Sequence, residues 1–303
     1  MDAVPAHHRS GYIALVGRPN AGKSTLLNQL LGTKLAAVTP HPQTTRNRIF
    51  GIFDRDDAQI VFQDTPGLLE PKDDLHQFMM REAERALDDS DLIVWLIDAI
   101  KGVTPRERAI AEKILLPVQA PLFIVFNKID KTPMDRRASL QEGLKSLSFF
   151  QPPVLFYISA LFGDGVRDLL QKMIERMPEG PKYFPPDQLS DRTQRFFVEE
   201  IIREKAFLIM RQEIPYSLAV QVEEMKEREG GLTAIRAVIH VERESQKGMI
   251  LGKKGAVIKQ IGTEARKDIE ALLGNRAYLD LWVKVSERWR KKGERLRTFG
   301  YKE

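Results

Sequence analysis

The 303-residue chain is long enough for two domains of ordinary size. Its 43% hydrophobic and 29% charged residues suit a folded globular protein, not a disordered one. Cysteine is absent, which excludes disulfides, thiolate nucleophiles and cysteine-bound zinc; the net charge of +5 concentrates from Lys247 onward, where 15 Lys and Arg face seven Asp and Glu, so an anionic partner is expected there.

The opening residues, MDAVPAHHRS, lack the basic-then-apolar pattern of a secretory signal. With no cysteine and no apolar run of membrane-spanning length, a cytoplasmic location is expected. Short apolar runs then alternate with helical stretches: Tyr12–Val16, Ile60–Phe62, Leu92–Ile97, Leu122–Phe126 and Val154–Ile158. Each is apolar on successive residues, as strands buried on both faces of a parallel sheet are. Arg48–Phe53 alternates instead and reads as an antiparallel edge strand. Residues 1–177 are therefore expected to form an α/β domain with a mostly parallel, doubly wound sheet. Four prolines in PEGPKYFPPD mark 178–190 as a linker. Residues 191–303 read as a smaller α+β domain: a helix over Asp191–Met210, alternating segments at Ser217–Val222 and Ala234–Val241, a helical region at Gly248–Leu273, another alternating segment at Tyr278–Val285, and a basic tail.

Directly after the first strand, Gly17-Arg-Pro-Asn20-Ala21-Gly22-Lys23-Ser24-Thr25 satisfies G-x-x-x-x-G-K-[ST] and opens a helix over Lys23–Leu31. The glycines let the backbone curl so that successive N–H groups and the helix N-terminus face an anion. Lys23 supplies a point charge for phosphates and Ser24 a hydroxyl for Mg²⁺. This loop indicates a nucleoside triphosphate without saying which one. The base is chosen by Asn127-Lys128-Ile129-Asp130 at the end of the fourth run. The Asp130 carboxylate can accept two hydrogen bonds from guanine, while adenine would leave it unpaired. Asn127 and Lys128 would brace that loop. Asp64-Thr65-Pro66-Gly67 ends the second run, with Asp64 facing Mg²⁺ and the Gly67 N–H facing the γ-phosphate; Ser159-Ala160-Leu161 ends the last, its backbone meeting the guanine edge. Ligands of open α/β sheets bind at carboxyl ends of strands, where these segments all fall.

The four segments, in this order, resemble the G domain of translation-factor-type GTPases, and Gln43-Thr44-Thr45-Arg46 resembles their switch I threonine segment. The resemblance implies that Thr45, or else Thr44, joins Ser24 and Asp64 around Mg²⁺ when the γ-phosphate is present. Catalysis is then expected to involve Asn20, Lys23, Thr45 and Gly67. Leu68 and Leu69 stand where many small GTPases carry a water-orienting glutamine. Related GTPases with R-P-N-A-G-K-S use the asparagine to help bind potassium, which implies slow hydrolysis, faster in K⁺, with Asn20 as ligand; the alternative is that Asn20 only shapes the loop.

In the basic region, Gly252-Lys253-Lys254-Gly255 between two helical segments resembles the backbone clamp of type II KH domains, which holds about four unpaired nucleotides. Lys253, Lys254 and Lys259 would meet phosphates, and Ile250, Val257 and Ile258 would floor the groove. The tail from Arg288 to Arg297, with six positive charges and one negative, reads as an extension of the RNA footprint, as a membrane-lipid contact or as a solvated helix face. A phosphate-loop kinase or ATPase, and an RNA-binding module without turnover, are the competing classes.

A G domain followed by a KH domain across YFPPDQLSDR resembles the Era family of bacterial GTPases over essentially the whole chain. That resemblance implies GTP/GDP as ligand with no other small-molecule substrate. It implies binding near the 3′ end of small-subunit ribosomal RNA during assembly of the 30S subunit, domain reorientation with nucleotide state, and a peripheral contact with the inner face of the cell membrane.

Overall fold

A computed structural model describes residues 8–133, 140, 142–147, 150, 154–210 and 214–301. Of the amino-terminal stretch examined for a secretory signal, residues 1–7 lie outside the described residues. The chain falls into two compact units. One comprises Met1–Ala36, Thr45–Glu70 and Met79–Asp191, the other Ala37–Thr44, Pro71–Phe78 and Arg192–Glu303.

The first unit is built on a six-stranded sheet of order β2-β3-β1-β4-β5-β6. The strands are β1 (Arg9–Gly17), β2 (Ile49–Arg55), β3 (Ala58–Asp64), β4 (Leu92–Asp98), β5 (Leu122–Asn127) and β6 (Val154–Ile158). All neighbours are parallel except β2, which pairs antiparallel with β3 at the edge. Burial explains the unbroken apolar runs: every residue of β3 and β4 is buried. Helices α1 (Lys23–Leu31) and α4 (Val166–Arg176) pack on one face, giving a core around Ile13, Leu15, Leu26 and Val94. Helices α2 (Asp74–Asp88) and α3 (Pro105–Ile110) frame the other, around Trp95, Ile97 and Phe126. The sheet order reverses between β1 and β4, which run side by side with connections to opposite sides, so the crevice outside their carboxyl ends is the place for a ligand.

The expected linker, 178–190, is fastened to this unit. Gly180 N–H donates to His8 O at 3.0 Å, and the side chain of Gln59, fully buried in β3, accepts from Tyr183 N–H and Phe184 N–H at 2.7 and 2.9 Å. Gln59 Nε2 returns a bond to Phe184 O at 2.9 Å. Three bonds from one buried amide hold an otherwise irregular, proline-rich segment and satisfy backbone groups of Tyr183 and Phe184 without a regular element.

The second unit has a three-stranded sheet: β7 (Ala219–Arg228) antiparallel to β8 (Leu232–Val241), and β8 parallel to β9 (Arg276–Val285). Helices α5 (Gln194–Ile209), α6 (Glu244–Leu251) and α7 (Ala256–Leu273) cover one face, with Val198, Ile202, Ile239, Ile250, Ile261 and Ile269 in the core. Thr193 caps α5, its hydroxyl accepting from Phe196 N–H at 3.4 Å. The order helix, strand, strand, helix, G-x-x-G, helix, strand is that of a type II KH fold. Trp289, fully buried, donates its indole N–H to Ser217 O at 2.7 Å and stacks on Tyr301, which ties the basic tail to the domain.

Candidate functional site

Five loops at carboxyl ends of strands meet in the first unit. Gly22, at φ 99°, precedes α1, and a Cβ there would overlap the Asn127 amide, so the position requires glycine twice over. Lys23, buried at 6% exposure, bends back so that its Nζ lies 3.2 Å from Gly17 O and 3.3 Å from Arg18 O. Burial lowers its pKa, opposed by Asp64 and Glu107. An ammonium capping carbonyls of the phosphate loop is already aimed at the space that the loop encloses. Asn20 is exposed and in the left-handed region, at φ 64°.

The three residues expected around a divalent cation are brought together. Ser24 Oγ donates to Asp64 Oδ2 at 2.7 Å and lies 2.9 Å from Thr45 Oγ1, which donates to the same carboxylate oxygen at 3.1 Å. Two hydroxyls and a carboxylate are hard oxygen donors that fit Mg²⁺. Thr44 does not join them: its hydroxyl donates to His41 O at 2.9 Å and lies 2.7 Å from Thr39 Oγ1. Thr45 and not Thr44 therefore has the geometry of a cation ligand. Gly67 follows this cluster, and the next amide, Leu68 N–H, donates to Gly17 O at 3.0 Å, lacing D-x-x-G to the phosphate loop. The Leu68 side chain is buried among Trp95, Phe126 and their neighbours. It fills the core and has no means of orienting water.

Asn127 is the keystone of the base-side loops. Its Nδ2 donates to Ala21 O at 2.8 Å, and its Oδ1 accepts from Lys128 N–H at 2.8 Å and Ala160 N–H at 2.9 Å. One buried amide thus joins the phosphate loop, the N-K-x-D loop and the S-A loop. Lys128, at φ 70°, is anchored by an ion pair with Asp98 Oδ2 at 2.8 Å. Asp130 is exposed, and its Oδ1 accepts from the Ser159 hydroxyl at 2.7 Å. Ala160 is buried, whereas the Leu161 side chain is 61% exposed beside the same loop.

Two residues here, and the side-chain role of a third, escape sequence reasoning. Ser159 is expected at the guanine edge through its backbone, yet its hydroxyl also orients the Asp130 carboxylate. Asp98, which holds Lys128, ends a strand without any pattern of its own. Glu107 on α3 is 3% exposed and faces Arg18 of the phosphate loop at 3.9 Å. Burial pushes its pKa up to about 7, against the opposing pull of Arg18, Trp95 and Lys23.

In the second unit, Gly252 at φ 69° breaks the chain between α6 and α7. A Cβ there would lie 2.5 Å from the Val257 side chain. Lys253 and Lys254 are exposed at the tip, Lys254 at φ 53°, and Gly255 at φ 78° starts α7. Of the apolar residues expected to floor the groove, Ile258 lines a groove between α7 and β9, beside Lys259. Ile250 does not: it is fully buried in the core, because the side chain on the last turn of α6 points at the sheet. Val257 packs against that same core and under Gly252.

A phosphate loop, a hydroxyl–carboxylate cluster and an amide-braced N-K-x-D loop at one end of a parallel sheet, with a type II KH fold downstream, define a guanine-nucleotide-binding P-loop protein carrying an RNA-binding type of domain. Family models agree: residues 12–128 match the 50S ribosome-binding GTPase family and residues 213–290 the KH domain. The chain is 46% identical to GTPase Era of Carboxydothermus hydrogenoformans, over 98% of this chain and 99% of that protein. It is 45% identical to GTPase Era of Clostridium kluyveri over 97% and 99%. Among solved structures, Era in complex with MgGDPNP and nucleotides 1506–1542 of 16S ribosomal RNA is similar at a TM-score of 0.94 and 41% identity, covering 98% of this chain and 100% of that one. A variant of Aquifex aeolicus Era bound to GDP and AlF4⁻ is similar at 0.93 and 41%, covering 97% and 100%. The chain belongs to the Era family of GTPases.

Proposed function

We propose that this GTPase is a nucleotide-controlled binder of single-stranded small-subunit ribosomal RNA that assists assembly of the 30S subunit in the cytoplasm. The observation that carries it is the pairing of a G-x-x-G turn, bearing Lys253 and Lys254 at its tip, with a complete set of guanine-nucleotide loops in one chain. A relative bound at once to MgGDPNP and to nucleotides 1506–1542 of 16S ribosomal RNA supports the same pairing of ligands.

In this reading Gly17 and Asn20 to Thr25 cradle the phosphates, with Lys23 released from its loop carbonyls to pair with the β- and γ-phosphates. Asp130, oriented by Ser159, selects guanine, and the Ala160 and Leu161 backbone closes over the base edge. Ser24, Thr45 and Asp64 hold Mg²⁺, which neutralises charge on the phosphates when bound. Gly67 N–H reads the γ-phosphate. Since Leu68 cannot orient water, intrinsic hydrolysis is slow. Asn20, exposed beside the phosphate loop, takes part in holding K⁺ in place of an arginine finger. Phosphate release in K⁺ against Na⁺ tests this: stimulation by K⁺ that disappears in Asn20→Ala is expected, and equal rates in both salts overturn it.

The RNA assignment is tested by crosslinking the full chain to cellular RNA, wild type against Lys253→Asp/Lys254→Asp. The charge reversal leaves both glycines in place, and aspartate tolerates the left-handed backbone of Lys254. Recovery of the 3′ end of small-subunit ribosomal RNA by the wild type, and its loss in the variant, is expected. Recovery of non-ribosomal RNA, or equal recovery by both proteins, refutes the assignment.

A further inference from the structure

At the start of α3, Thr104-Pro105-Arg106-Glu107 spells a capping box, in which the glutamate side chain would reach back to the Thr104 amide. Half of that box is made: the Thr104 hydroxyl accepts from Glu107 N–H at 3.2 Å. The carboxylate turns inward instead. It is buried, lies 3.9 Å from Arg18 Nη1 in the phosphate loop, and its Oε2 has no hydrogen-bond partner among the described residues. The Trp95 indole N–H acts on it from β4 without forming a bond. A buried carboxylate short of donors costs stability, and burial pushes its pKa up to about 7. Of the charges that face it, Arg18 and Lys23 oppose that rise and Asp98 adds to it. A cost of this kind beside a binding site calls for a function.

What Arg18 carries says what that function is. Its carbonyl accepts from Lys23 Nζ at 3.3 Å and from Ala21 N–H at 3.2 Å. The carbonyl before it, Gly17 O, accepts from Lys23 Nζ at 3.2 Å and from Leu68 N–H at 3.0 Å. Two successive carbonyls thus hold the phosphate-binding lysine, the turn of the loop and the D-x-x-G segment. The side chain of Arg18 is the handle on that backbone, and Glu107 is its one ion-pair partner among the described residues. The acid itself is a fixed point. Ala111 and Leu115, one and two turns further along, are buried in the core around Trp95, so the carboxylate is anchored to the sheet while the loop it faces is not regular structure.

We infer that Glu107 is a positioning residue of the nucleotide site: through Arg18 it holds the Gly17–Arg18 backbone in the curve from which Lys23 swings onto the phosphates. The strut rests on the phosphate loop of the proposed function. It acts on phosphate affinity and leaves base choice to Asp130.

Nucleotide affinity of the full chain at about pH 8, where the carboxyl is ionised, tests it. Glu107→Gln has nearly the same size without the charge. It is expected to weaken GDP and a non-hydrolysable GTP analogue about tenfold, within the range for coupled neighbours. KM for GTP should rise by the same factor while kcat changes less than about twofold, because the loop cradles the phosphates in ground and transition state alike. Preference for guanine over xanthine nucleotides should stay as in the wild type. At about pH 6 the wild-type carboxyl is mostly protonated too, so the gap between the two proteins should close to about twofold. Arg18→Gln should weaken binding to the same extent, and Glu107→Gln/Arg18→Gln no further than either change alone. Amide exchange of β1 shows that the variants remain folded. Equal affinities of wild type and Glu107→Gln at the higher pH overturn the inference, as does full additivity of the two changes. Loss of guanine preference also overturns it, by placing the effect at Asp98 and Lys128. If Lys23→Ala binds GTP as the wild type does, the phosphate loop itself is misassigned, a result distinct from failure of the strut.

Discussion

Asn127→Ala and Asp130→Asn sit three residues apart in one loop, and the geometry predicts opposite phenotypes for them. Asn127 is 2% exposed and makes bonds to Ala21 O, Lys128 N–H and Ala160 N–H, all at 2.8 to 2.9 Å. Truncation removes three hydrogen bonds worth about 1 kcal/mol each and leaves the buried Ala160 N–H without its acceptor, so about 3 kcal/mol of stability should go. Two loops that the nucleotide must meet lose their common brace, and GDP affinity should fall at least about a hundredfold, or about 2.7 kcal/mol. Asp130 is exposed, and asparagine keeps an oxygen for the Ser159 hydroxyl, so Asp130→Asn should cost less than about 0.5 kcal/mol. It should instead lose two charge-assisted bonds to guanine, about 3 to 6 kcal/mol together, and turn preference toward xanthine. Hydrogen exchange of β1 and β5 amides measures the stability of the first unit. Competition against a fluorescent guanine nucleotide measures affinity. An Asn127→Ala protein as stable as wild type, or an Asp130→Asn protein that still prefers guanine, would refute the reading of this loop.

Glu107 of the first unit and His240 of the second should respond to acid with opposite signs. Glu107 has its pKa raised to about 7 from 4.5, so the first unit loses up to about 3 kcal/mol as pH rises from 4.5 through 7; Glu107→Gln should flatten that slope in amide exchange between pH 5 and 8. His240, buried beside Phe299, has its pKa lowered to about 4 by burial and by Lys284 and Arg295, so its contribution to the second unit is whole above pH 6.5 and falls by up to about 3 kcal/mol as pH drops toward 4, while Glu199 on α5, raised to about 7 by burial, works in the opposite direction. His240→Gln should remove most of that acid sensitivity, measured by exchange of β8 amides. Trp289→Ala, which empties a fully buried site and abandons the bond to Ser217 O, should cost about 3 to 5 kcal/mol and unfold the second unit at moderate urea while the first unit's exchange stays unchanged.

What could be read from the sequence divides along a physical line. The nucleotide loops were legible because phosphate, magnesium and guanine each demand particular atoms at fixed chain spacing, and strand ends supply the frame. β3 shows the limit. Its apolar run covers Ile60–Phe62, but the strand extends over Ala58–Asp64, because Gln59 and Gln63 are buried as hydrogen-bonding hubs and carry no apolar signal. β7 likewise runs to Arg228, past the alternation at Val222, as an exposed ribbon of Glu223, Glu224, Lys226 and Glu227 held by its ladder to β8. Ile250, expected under the groove, lies in the core for a related reason. Period alone marks a residue as apolar and helical without saying whether its face meets a groove or a core.

Partnerships across the fold are what sequence leaves out, and in this chain they set the chemistry of the site. The Asp130 carboxylate is aimed by Ser159, 29 positions away, and Lys128 is held by Asp98, 30 positions away. The phosphate loop is closed by Asn127, 106 positions from Ala21. A fixed orientation matters because two parallel bonds to guanine need the carboxylate plane aligned with the plane of the base, and a side chain free to rotate would lose part of that gain to entropy. Ser159→Ala should therefore weaken guanine nucleotides about five- to tenfold, the worth of one hydrogen bond, while the order of base preference stays as in the wild type. Loss of guanine preference in Ser159→Ala would mean that the serine contacts the base itself, and no change in affinity would mean that Asp130 is positioned by its loop alone.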